Sequence, residues 1–456
     1  MNKKNKLESE SIGKLLLSLS LPAILGQLVS LIYNLVDRIY IGHMTDVGGL
    51  ALTGVGITAP LILMIAAFAQ LIGMGGVPLA SIKMGEHKKE EGERILGNSF
   101  SALAICSLIL MVIFFVFMTP LLKLFGASTE TLDYAYQYLE IYVLGTPFVM
   151  MTIGMNPYIT GQGFATKGMM TVSIGAIINI VLDPIFIFTF NMGVKGAALA
   201  TIISQAISAI WVLYFLSGKK TLLKLRKKNF SISSEILIPM IKLGLSPFIM
   251  TITESLLIIS FNANLQRYVG DLGVGAMTIL SSCMQFVFLP LSGLTQGAQP
   301  ITSYNYGAEN VERVKDSFKY LFIISVTYSC LIWLAMMIFP GFFASLFTSD
   351  QAIIRASSYG LRIYIAGAFA LGVQISCQQT FIALGNAKSS LFLAILRKII
   401  LLIPLIYILP HFLTKKYAAI LIAEPISDIV AAGVTAYMFF KEFKILILEM
   451  KYRKLN

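Results

Sequence analysis

Charged residues are scarce in this sequence, and the motifs of a soluble enzyme are missing. Of the 456 residues, 13% are charged and 57% are hydrophobic, whereas soluble domains carry about 25% charged residues. No GxxxxGK[ST] motif occurs, since the nearest string, 163–168, has its Lys and Gly in the wrong order for a phosphate-binding loop. No nucleophile lies beside a plausible base. The composition therefore predicts an integral membrane protein that is not an enzyme and does not use ATP.

Cysteine and histidine are also few. The four cysteines lie inside apolar segments without CxxC spacing, and the three histidines are isolated. Such cysteines are typical of small buried side chains, and no His, Cys or carboxylate cluster has the spacing of a metal site. We therefore expect no disulfide, no structural metal and no cofactor. The first apolar segment lacks a small-residue cleavage site and is predicted to be an uncleaved span.

Twelve apolar segments are long enough to cross a membrane. They are predicted, as spans 1 to 12, at residues 15–41, 50–79, 96–122, 134–159, 169–190, 193–216, 237–265, 273–301, 320–347, 358–384, 391–409 and 417–440. Most of the 35 Lys and Arg residues fall in loops on the N-terminal side, above all in the connector 218–236. Because cytoplasmic loops are rich in Lys and Arg, we predict a multi-pass protein of the cytoplasmic membrane with both termini in the cytoplasm. The net charge of +12 then needs no nucleic-acid partner.

The two sets of six spans are copies of one another. Three pairs of glycines are each 222 residues apart, namely Gly85 and Gly307, Gly145 and Gly367, and Gly163 and Gly385. Because six is even, both copies enter from the same side and are related by a pseudo-two-fold axis along the membrane normal. We predict one lobe over 1–217 and a second over 237–456. Parallel repeats of this kind occur in secondary transporters, and some channels also contain repeats.

Span 5 carries an acid where an acid is costly. Asp183 lies in the apolar stretch 169–190, where a carboxylate costs about 2.5 to 3.5 kcal/mol on insertion scales. Asn179 lies one helical turn earlier on the same face and could share a proton or a small cation with it. Pro184 follows directly and marks a place where the span could bend. The alternative is a carboxylate that merely bonds a neighbouring helix.

Other polar residues could complete a cation site in the first lobe. Asp37 and Asn34 are three residues apart in span 1, hence on one face, and span 6 carries Thr201 and Gln205. Carboxylates, amides and a hydroxyl suit either a proton site or an oxygen-lined Na⁺ site. Helix packing is the alternative role for these residues.

The second lobe offers fewer candidates. Glu254 and Asn262 in span 7, together with Gln205, are candidates for a substrate contact or a second acidic site. Glu424 and Asp428 lie close to Pro425 and are expected near the edge of span 12. The chain also has 21 methionines and 11% aromatic residues, and a cavity lined by such side chains would accept many lipophilic cations.

Short strings distributed over nearly the whole chain carry a resemblance to a known family. They are Leu21-Pro22, Tyr33 to Asp37, Tyr40 to His43, Ala59-Pro60, Met84 to Glu86, Leu124 to Ala127, Gly161 to Gly163, Asn179 to Asp183, Gly297 to Pro300 and Ser303 to Ala308. They resemble the MATE (multidrug and toxic compound extrusion) family, in its DinF- and MepA-like branch. The resemblance implies a twelve-helix antiporter that exports amphipathic, often cationic compounds in exchange for H⁺ or Na⁺, an activity associated with antibiotic resistance.

The resemblance also implies where coupling occurs. The family pattern falls on Asp37, Asn179, Asp183 and Thr201. Glu254 resembles the span 7 acid of NorM-like members, but the acid that those members carry in span 10 is missing here. We therefore expect coupling in the first lobe, and a monomer that contacts membrane lipids and lipophilic small molecules.

Two other functional classes are kept as alternatives. A flippase for lipid-linked precursors, from the wider superfamily, is less favoured because such proteins line their cleft with basic residues, whereas the charges within these spans are chiefly acidic. A passive channel or a non-transporting scaffold would leave Asp37 and Asp183 dispensable.

Overall fold

The computed structural model describes residues 6–44, 48–348 and 350–455, and every regular element within them is helical. Ten helices are long and apolar enough to cross a membrane, and two bent pairs pass the same test, which gives up to twelve spans in the described part of the chain. The predicted fold class, an all-α integral membrane protein, is confirmed.

Spans 1, 2, 3 and 6 are the single helices Ile12–Gly42, Gly48–Gly85, Lys89–Leu124 and Val194–Ser217. Span 4 consists of Leu132–Leu144 and Thr146–Gly161, and span 5 consists of Ala165–Pro184 and the π-helix Ile185–Thr189. Spans 7, 8 and 9 are the single helices Ser234–Tyr268, Asp271–Gly307 and Val311–Ile338. Span 10 consists of Gln351–Tyr364 and Leu371–Ala383, and span 12 consists of Lys416–Leu421 and Ala423–Leu455. Span 11 has three segments, Ala387–Ile395, the π-helix Leu396–Leu402 and Ile403–Phe412. Short helical segments are Lys6–Ser9, Lys227–Asn229, Pro340–Ser345 and Ala368–Ala370.

Spans 4 and 10 each break at an equivalent position of the two copies. Span 4 bends by 59° and span 10 by 48°, and Gly145 and Gly367, 222 residues apart, lie at the two breaks. A Cβ atom on Gly145 would lie 1.8 Å from Cδ1 of Ile202, and one on Gly367 would lie 2.7 Å from Cα of Pro425. The backbone of span 12 therefore leaves no room for a side chain at Gly367, whereas at Gly145 the close atom is the end of the flexible Ile202 side chain. This shared feature supports the internal duplication.

Packing divides the chain differently from the sequence repeat. One compact unit comprises the described residues up to Ser20 and from Ile252 onward, and the other comprises Leu21–Thr251. The change of unit falls inside the helices of spans 1 and 7. The lobe boundaries 1–217 and 237–456 are therefore not the boundaries of the compact units. These lobe boundaries stay a prediction, which concerns the extent of the two sequence copies.

The basic connector 218–236 is fixed within the unit Leu21–Thr251. Oε1 of Gln162 accepts hydrogen bonds from the backbone N–H of Leu223 at 2.6 Å and from the hydroxyl of Thr221 at 2.8 Å. Oε2 of Glu93 pairs with Nε of Arg226 at 2.9 Å. Gln162 is buried, so its bonds to the connector are shielded from water. The connector is thereby attached to the ends of spans 3 and 4.

We expect Gln162→Ala to lower the melting temperature of the detergent-solubilised protein. The change leaves the buried N–H of Leu223 without its acceptor, which costs about 1 to 3 kcal/mol. Gln137→Ala is the matched control, because Gln137 is only half-buried and its bond to the nearby Asp133, 2.6 Å long, is exposed. Thermal unfolding measures both variants, and equal melting temperatures would contradict the structural role of Gln162.

Candidate functional site

Asp183 is fully buried near the end of the helix Ala165–Pro184. Nδ2 of Asn179 donates a hydrogen bond to Oδ1 of Asp183 at 3.1 Å and lies 3.4 Å from the hydroxyl oxygen of Thr201 in span 6. The spacing of four residues places the amide here, because residues four apart share a helix face. The structure thus brings together three of the side chains predicted from the sequence.

Asp37 comes from span 1 and meets Asp183. Their carboxyl groups lie within hydrogen-bonding reach of each other. Oδ1 of Asp37 and Oδ2 of Asp183 are buried and have no hydrogen-bond partner among the described residues. Two ionised carboxylates this close repel each other, whereas one shared proton turns the repulsion into a hydrogen bond. The pair is therefore suited to bind one proton or one small cation.

The free oxygen atoms of the site define what it could bind. Three oxygen atoms are buried and accept no hydrogen bond from the described residues. They are Oδ1 of Asn179, Oδ1 of Asp37 and Oδ2 of Asp183. Carboxylate and carbonyl oxygens suit hard cations, so this set fits Na⁺ as well as a proton. The described residues contain no group of three or more His, Cys, Asp or Glu that could hold a metal ion.

Tyr138 is a member of the site that the sequence did not reveal. It is buried in the helix Leu132–Leu144, its hydroxyl lies within hydrogen-bonding reach of Thr201, and its ring stacks on Tyr142 with the ring centroids 6.0 Å apart. Tyrosines are common at helix surfaces in membranes, so nothing in the sequence separates this one from its neighbours. The hydroxyl extends the polar network from span 5 through span 6 to span 4.

Two other candidates of the first lobe, one for the coupling site and one for a substrate contact, do not join the acids. The side chain of Asn34 is exposed and donates to the backbone carbonyl of Ser30 at 2.7 Å, within its own helix. Gln205 lies one turn after Thr201, where its backbone carbonyl accepts from Thr152 at 3.1 Å. Oε1 of Gln205 is buried and has no donor among the described residues. The structure therefore does not place the side chain of Asn34 against Asp183, and its membership of the coupling site stays a prediction.

The helix changes its geometry directly after the buried acid. Pro184 has no backbone N–H and cannot continue the regular hydrogen-bond pattern, and the chain proceeds as the π-helix Ile185–Thr189. Gly196 of span 6 packs on this segment, since a Cβ atom there would lie 2.7 Å from the carbonyl carbon of Phe186. π-helical turns are frequent at functional sites. The bend predicted at Pro184 in span 5 stays a prediction.

Buried charges also occur in the unit that contains the second copy. Glu424 and Asp428, expected near the edge of span 12, are 4% and 0% exposed. Nη2 of Arg397 lies 3.1 Å from Oε1 of Glu424 and 2.7 Å from Oδ1 of Asp428. Arg397 and its neighbour Lys398 are buried in the π-helix Leu396–Leu402. The charges within these spans are thus mixed, and the expectation of chiefly acidic charges does not hold for this unit.

Glu254 and Asn262 are separated along span 7. The carboxylate of Glu254 pairs with the ammonium of Lys398, and the Glu254 side chain is 51% exposed. Asn262 lies eight residues further along the same helix, about 12 Å at the α-helical rise per residue, and is half-buried. The structure therefore does not bring these two candidates into one contact.

Comparison with known proteins gives a consistent result. The MatE family matches the chain twice, over residues 22–185 and 247–408. The chain is 27% identical over 427 residues to the Multidrug export protein MepA of Staphylococcus haemolyticus (strain JCSC1435), with 93% of each chain covered. It is also 27% identical over 430 residues to the Multidrug export protein MepA of Staphylococcus aureus (strain N315), again with 93% of each covered.

Solved structures share the whole helix arrangement. A crystal structure of MATE in the bent conformation superposes with a TM-score of 0.92 at 25% identity, covering 99% of this chain and 100% of the other. The outward-facing conformation of a multidrug resistance MATE family transporter of the MOP superfamily superposes with a TM-score of 0.90 at 26% identity, covering 98% and 99%. The similarity therefore extends over both copies.

A double-mutant cycle tests the bond between Asn179 and Asp183. Asn179→Leu removes the donor to a fully buried carboxylate, so we expect it to lower the free energy of unfolding by about 1 to 3 kcal/mol. In the Asp183→Asn background the same change should cost less, because the charge is gone. Thermal unfolding of the four proteins measures the difference. Asn34→Leu is the control and should be near neutral, and strictly additive effects of the two changes would contradict the interaction.

Proposed function

The chain belongs to the MatE family, and from this premise we propose that it is a secondary antiporter that exports lipophilic, often cationic compounds in exchange for protons. It is a multi-pass cell-membrane protein without enzymatic chemistry. The observation that carries the proposal is the contact between the carboxyl groups of Asp37 and Asp183 inside an apolar helical unit. A cation bound between the two acids relieves their electrostatic repulsion. A passive pore or a scaffold would gain nothing from two acids that repel each other.

The exchanged proton would be held between Asp37 and Asp183. When the proton is bound, the two carboxyl groups attract each other, and when it leaves, the two carboxylates repel. Asn179 keeps Asp183 in place in both states through its amide donor. Because Asp183 lies directly before the π-helix Ile185–Thr189, a change in the separation of the acids acts on spans 1 and 5. Proton occupancy would in this way select between two arrangements of these helices.

Na⁺ is the alternative coupling ion. The free oxygens of Asp37, Asp183 and Asn179, with the hydroxyl of Thr201, supply ligands of the kind that it prefers. Protons are favoured because the two carboxyl groups already lie within hydrogen-bonding reach of each other, a contact that a single proton stabilises without further ligands. No other cofactor is needed for either form of exchange.

We infer that the substrates are small molecules, because the MepA relatives are named multidrug export proteins. Glu254, Asn262 and Gln205 are proposed substrate contacts. The flippase alternative would use basic residues to hold phosphate groups, but Arg397 is engaged by Glu424 and Asp428, and Lys398 by Glu254. These paired bases favour drug export over transport of an anionic lipid precursor.

The surroundings of the protein follow from its surface. Many large apolar side chains are exposed, among them Val116, Ile210 and Leu331, and lipid is the medium in which such a surface is stable. We propose a monomer in direct contact with lipid, with both termini in the cytoplasm as the distribution of Lys and Arg predicts. No soluble partner is required for the exchange.

Transport in proteoliposomes tests the proposal. An imposed pH gradient should drive accumulation of ethidium, and Asp183→Asn should strongly reduce it, because an amide cannot carry the exchanged proton. Asp133→Asn is the matched control, since Asp133 is an acid outside the site that bonds Gln137, and it should transport like the unchanged protein.

A second arm applies a Na⁺ gradient without a pH gradient. Accumulation in this arm that Asp183→Asn removes would assign Na⁺ as the coupling ion in place of the proton. Full accumulation by Asp183→Asn under the pH gradient would contradict the coupling role of the acid pair.

A further inference from the structure

Four charged side chains are buried together in the unit that contains the second copy. Arg397 and Lys398 belong to the π-helix Leu396–Leu402, and Glu424 and Asp428 belong to the helix Ala423–Leu455. Each is at most 4% exposed. None of them takes part in the site formed by Asp37 and Asp183. Buried charge of this density is destabilising unless every charge is compensated, so the charge balance of the cluster is informative.

Arg397 is shared by two carboxylates. Its Nε donates to Oδ1 of Asp428 at 2.8 Å, and its Nη2 lies 2.7 Å from the same oxygen and 3.1 Å from Oε1 of Glu424. The hydroxyl of Ser427 donates to the Arg397 carbonyl at 2.6 Å, and the guanidinium lies 5.4 Å from the ring centroid of Phe288. The guanidinium is therefore held in position from several sides.

One positive charge then faces two negative charges. Oδ2 of Asp428 is buried and has no hydrogen-bond partner among the described residues. Fully ionised, the group of Arg397, Glu424 and Asp428 would carry one uncompensated negative charge away from water, which is costly. A single proton on the two carboxyl groups removes that charge and leaves Arg397 with one carboxylate to neutralise.

Lys398 connects this group to an accessible acid. Its ammonium is buried and pairs with Glu254, whose side chain is 51% exposed. The pair is neutral by itself, and Lys398 also interacts electrostatically with Glu424 and Asp428. Glu254 is thus the one acid of the five charged side chains that a cation could reach from outside the cluster.

We propose that these five side chains form a second proton-exchange site, at which one lipophilic monocation bound at Glu254 displaces one proton from Glu424 and Asp428. The inference rests on the proposed export of such cations. The incoming cation takes the place of Lys398 at Glu254, and the released ammonium moves to neutralise the second buried carboxylate. The proton is then expelled. The cluster is neutral before and after the exchange, so charge balances at each step.

The other titratable groups around Glu424 and Asp428 are consistent with a cluster that is neutral when it holds one proton. The titratable and charged groups that act on Glu424 and Asp428 are Arg397, Lys398 and Glu254, together with Tyr364 of span 10. Tyr364 is a buried phenol and is neutral at physiological pH. No further charged side chain facing the two acids is found among the described residues, so one proton suffices for neutrality.

Proton release on binding tests the proposal. Purified full-length protein carrying Asp37→Asn and Asp183→Asn, which removes the first acid pair, is titrated calorimetrically with tetraphenylphosphonium in buffers of different ionisation enthalpy. We expect about one proton released per cation bound. Adding Glu424→Gln should abolish the release and weaken binding, because Arg397 then balances Asp428 alone and the displaced ammonium of Lys398 has no second carboxylate to neutralise. Lys398→Met should also bind without release, since no ammonium replaces the proton.

Glu442→Gln is the matched control. Glu442 lies in the same helix as Glu424, and its Oε2 accepts hydrogen bonds from Asn386 at 2.6 Å and Ser389 at 2.7 Å. This variant should retain the release of one proton. No release in the background protein, equal release after Glu424→Gln, or absence of tetraphenylphosphonium binding would each overturn the exchange.

Infrared spectroscopy gives a readout that does not depend on a Glu424 variant. The background protein without ligand should show the C=O stretching band of a protonated carboxyl group, and tetraphenylphosphonium should remove it. A purely structural ion-pair cluster shows no such loss, and its absence would overturn the proposal even if Glu424→Gln does not fold. Export by the unchanged protein under a pH gradient is measured separately, so failure of this second site is distinguished from failure of the antiport itself.

Discussion

Two carboxyl groups in contact within apolar helices are the constraint on which the chemistry of this protein depends. Asp37 and Asp183 come from spans 1 and 5, and each keeps a buried oxygen without a hydrogen-bond partner among the described residues. Such a contact is unfavourable when both groups are ionised and favourable when they share a cation. Asn179, Thr201 and the surrounding helices hold the acids together. The folded protein therefore favours one proton shared by the two acids over two ionised carboxylates.

Part of this arrangement could be predicted from the sequence alone. The apolar runs predict the spans, the interval of 222 residues predicts the equivalent breaks at Gly145 and Gly367, and the spacing of four residues predicts that Asn179 bonds Asp183. These features are local or periodic, and helix geometry converts them directly into positions in space. Proposing Asp37 and Asp183 as coupling acids required only that a carboxylate within an apolar run be treated as costly.

Other features depend on tertiary packing and were not predictable. Tyr138 joins the site because helix packing places its hydroxyl near Thr201. No sequence pattern distinguishes it from the other tyrosines. Asn34 shares a helix face with Asp37 but bonds its own backbone at Ser30. The pairing of Arg397 with Glu424 and Asp428 joins residues far apart in sequence, and burial of a basic residue in a π-helix has no periodic signal.

The two copies have used buried charge in different ways. In the first, two acids meet without a base among their hydrogen-bond partners in the described residues, and an amide orients one of them. In the second, two acids share one guanidinium, and a lysine links them to an exposed acid. When fully ionised, the pair in the first copy carries two uncompensated negative charges and the group of Arg397, Glu424 and Asp428 in the second carries one, which gives each copy a reason to bind a cation. The duplication thus preserved the helices while the charged side chains diverged.

Substrate exchange by the double variant Asp37→Asn, Asp183→Asn tests the central claim most directly, because it separates coupling from substrate binding. In proteoliposomes, and with Lys398→Met also present so that the second site releases no proton, the account predicts that this variant still exchanges internal for external ethidium at equal concentrations but no longer accumulates ethidium when a pH gradient is imposed. Accumulation driven by the pH gradient in this variant, or loss of exchange in a correctly folded variant, would contradict the assignment of the acid pair as the coupling site.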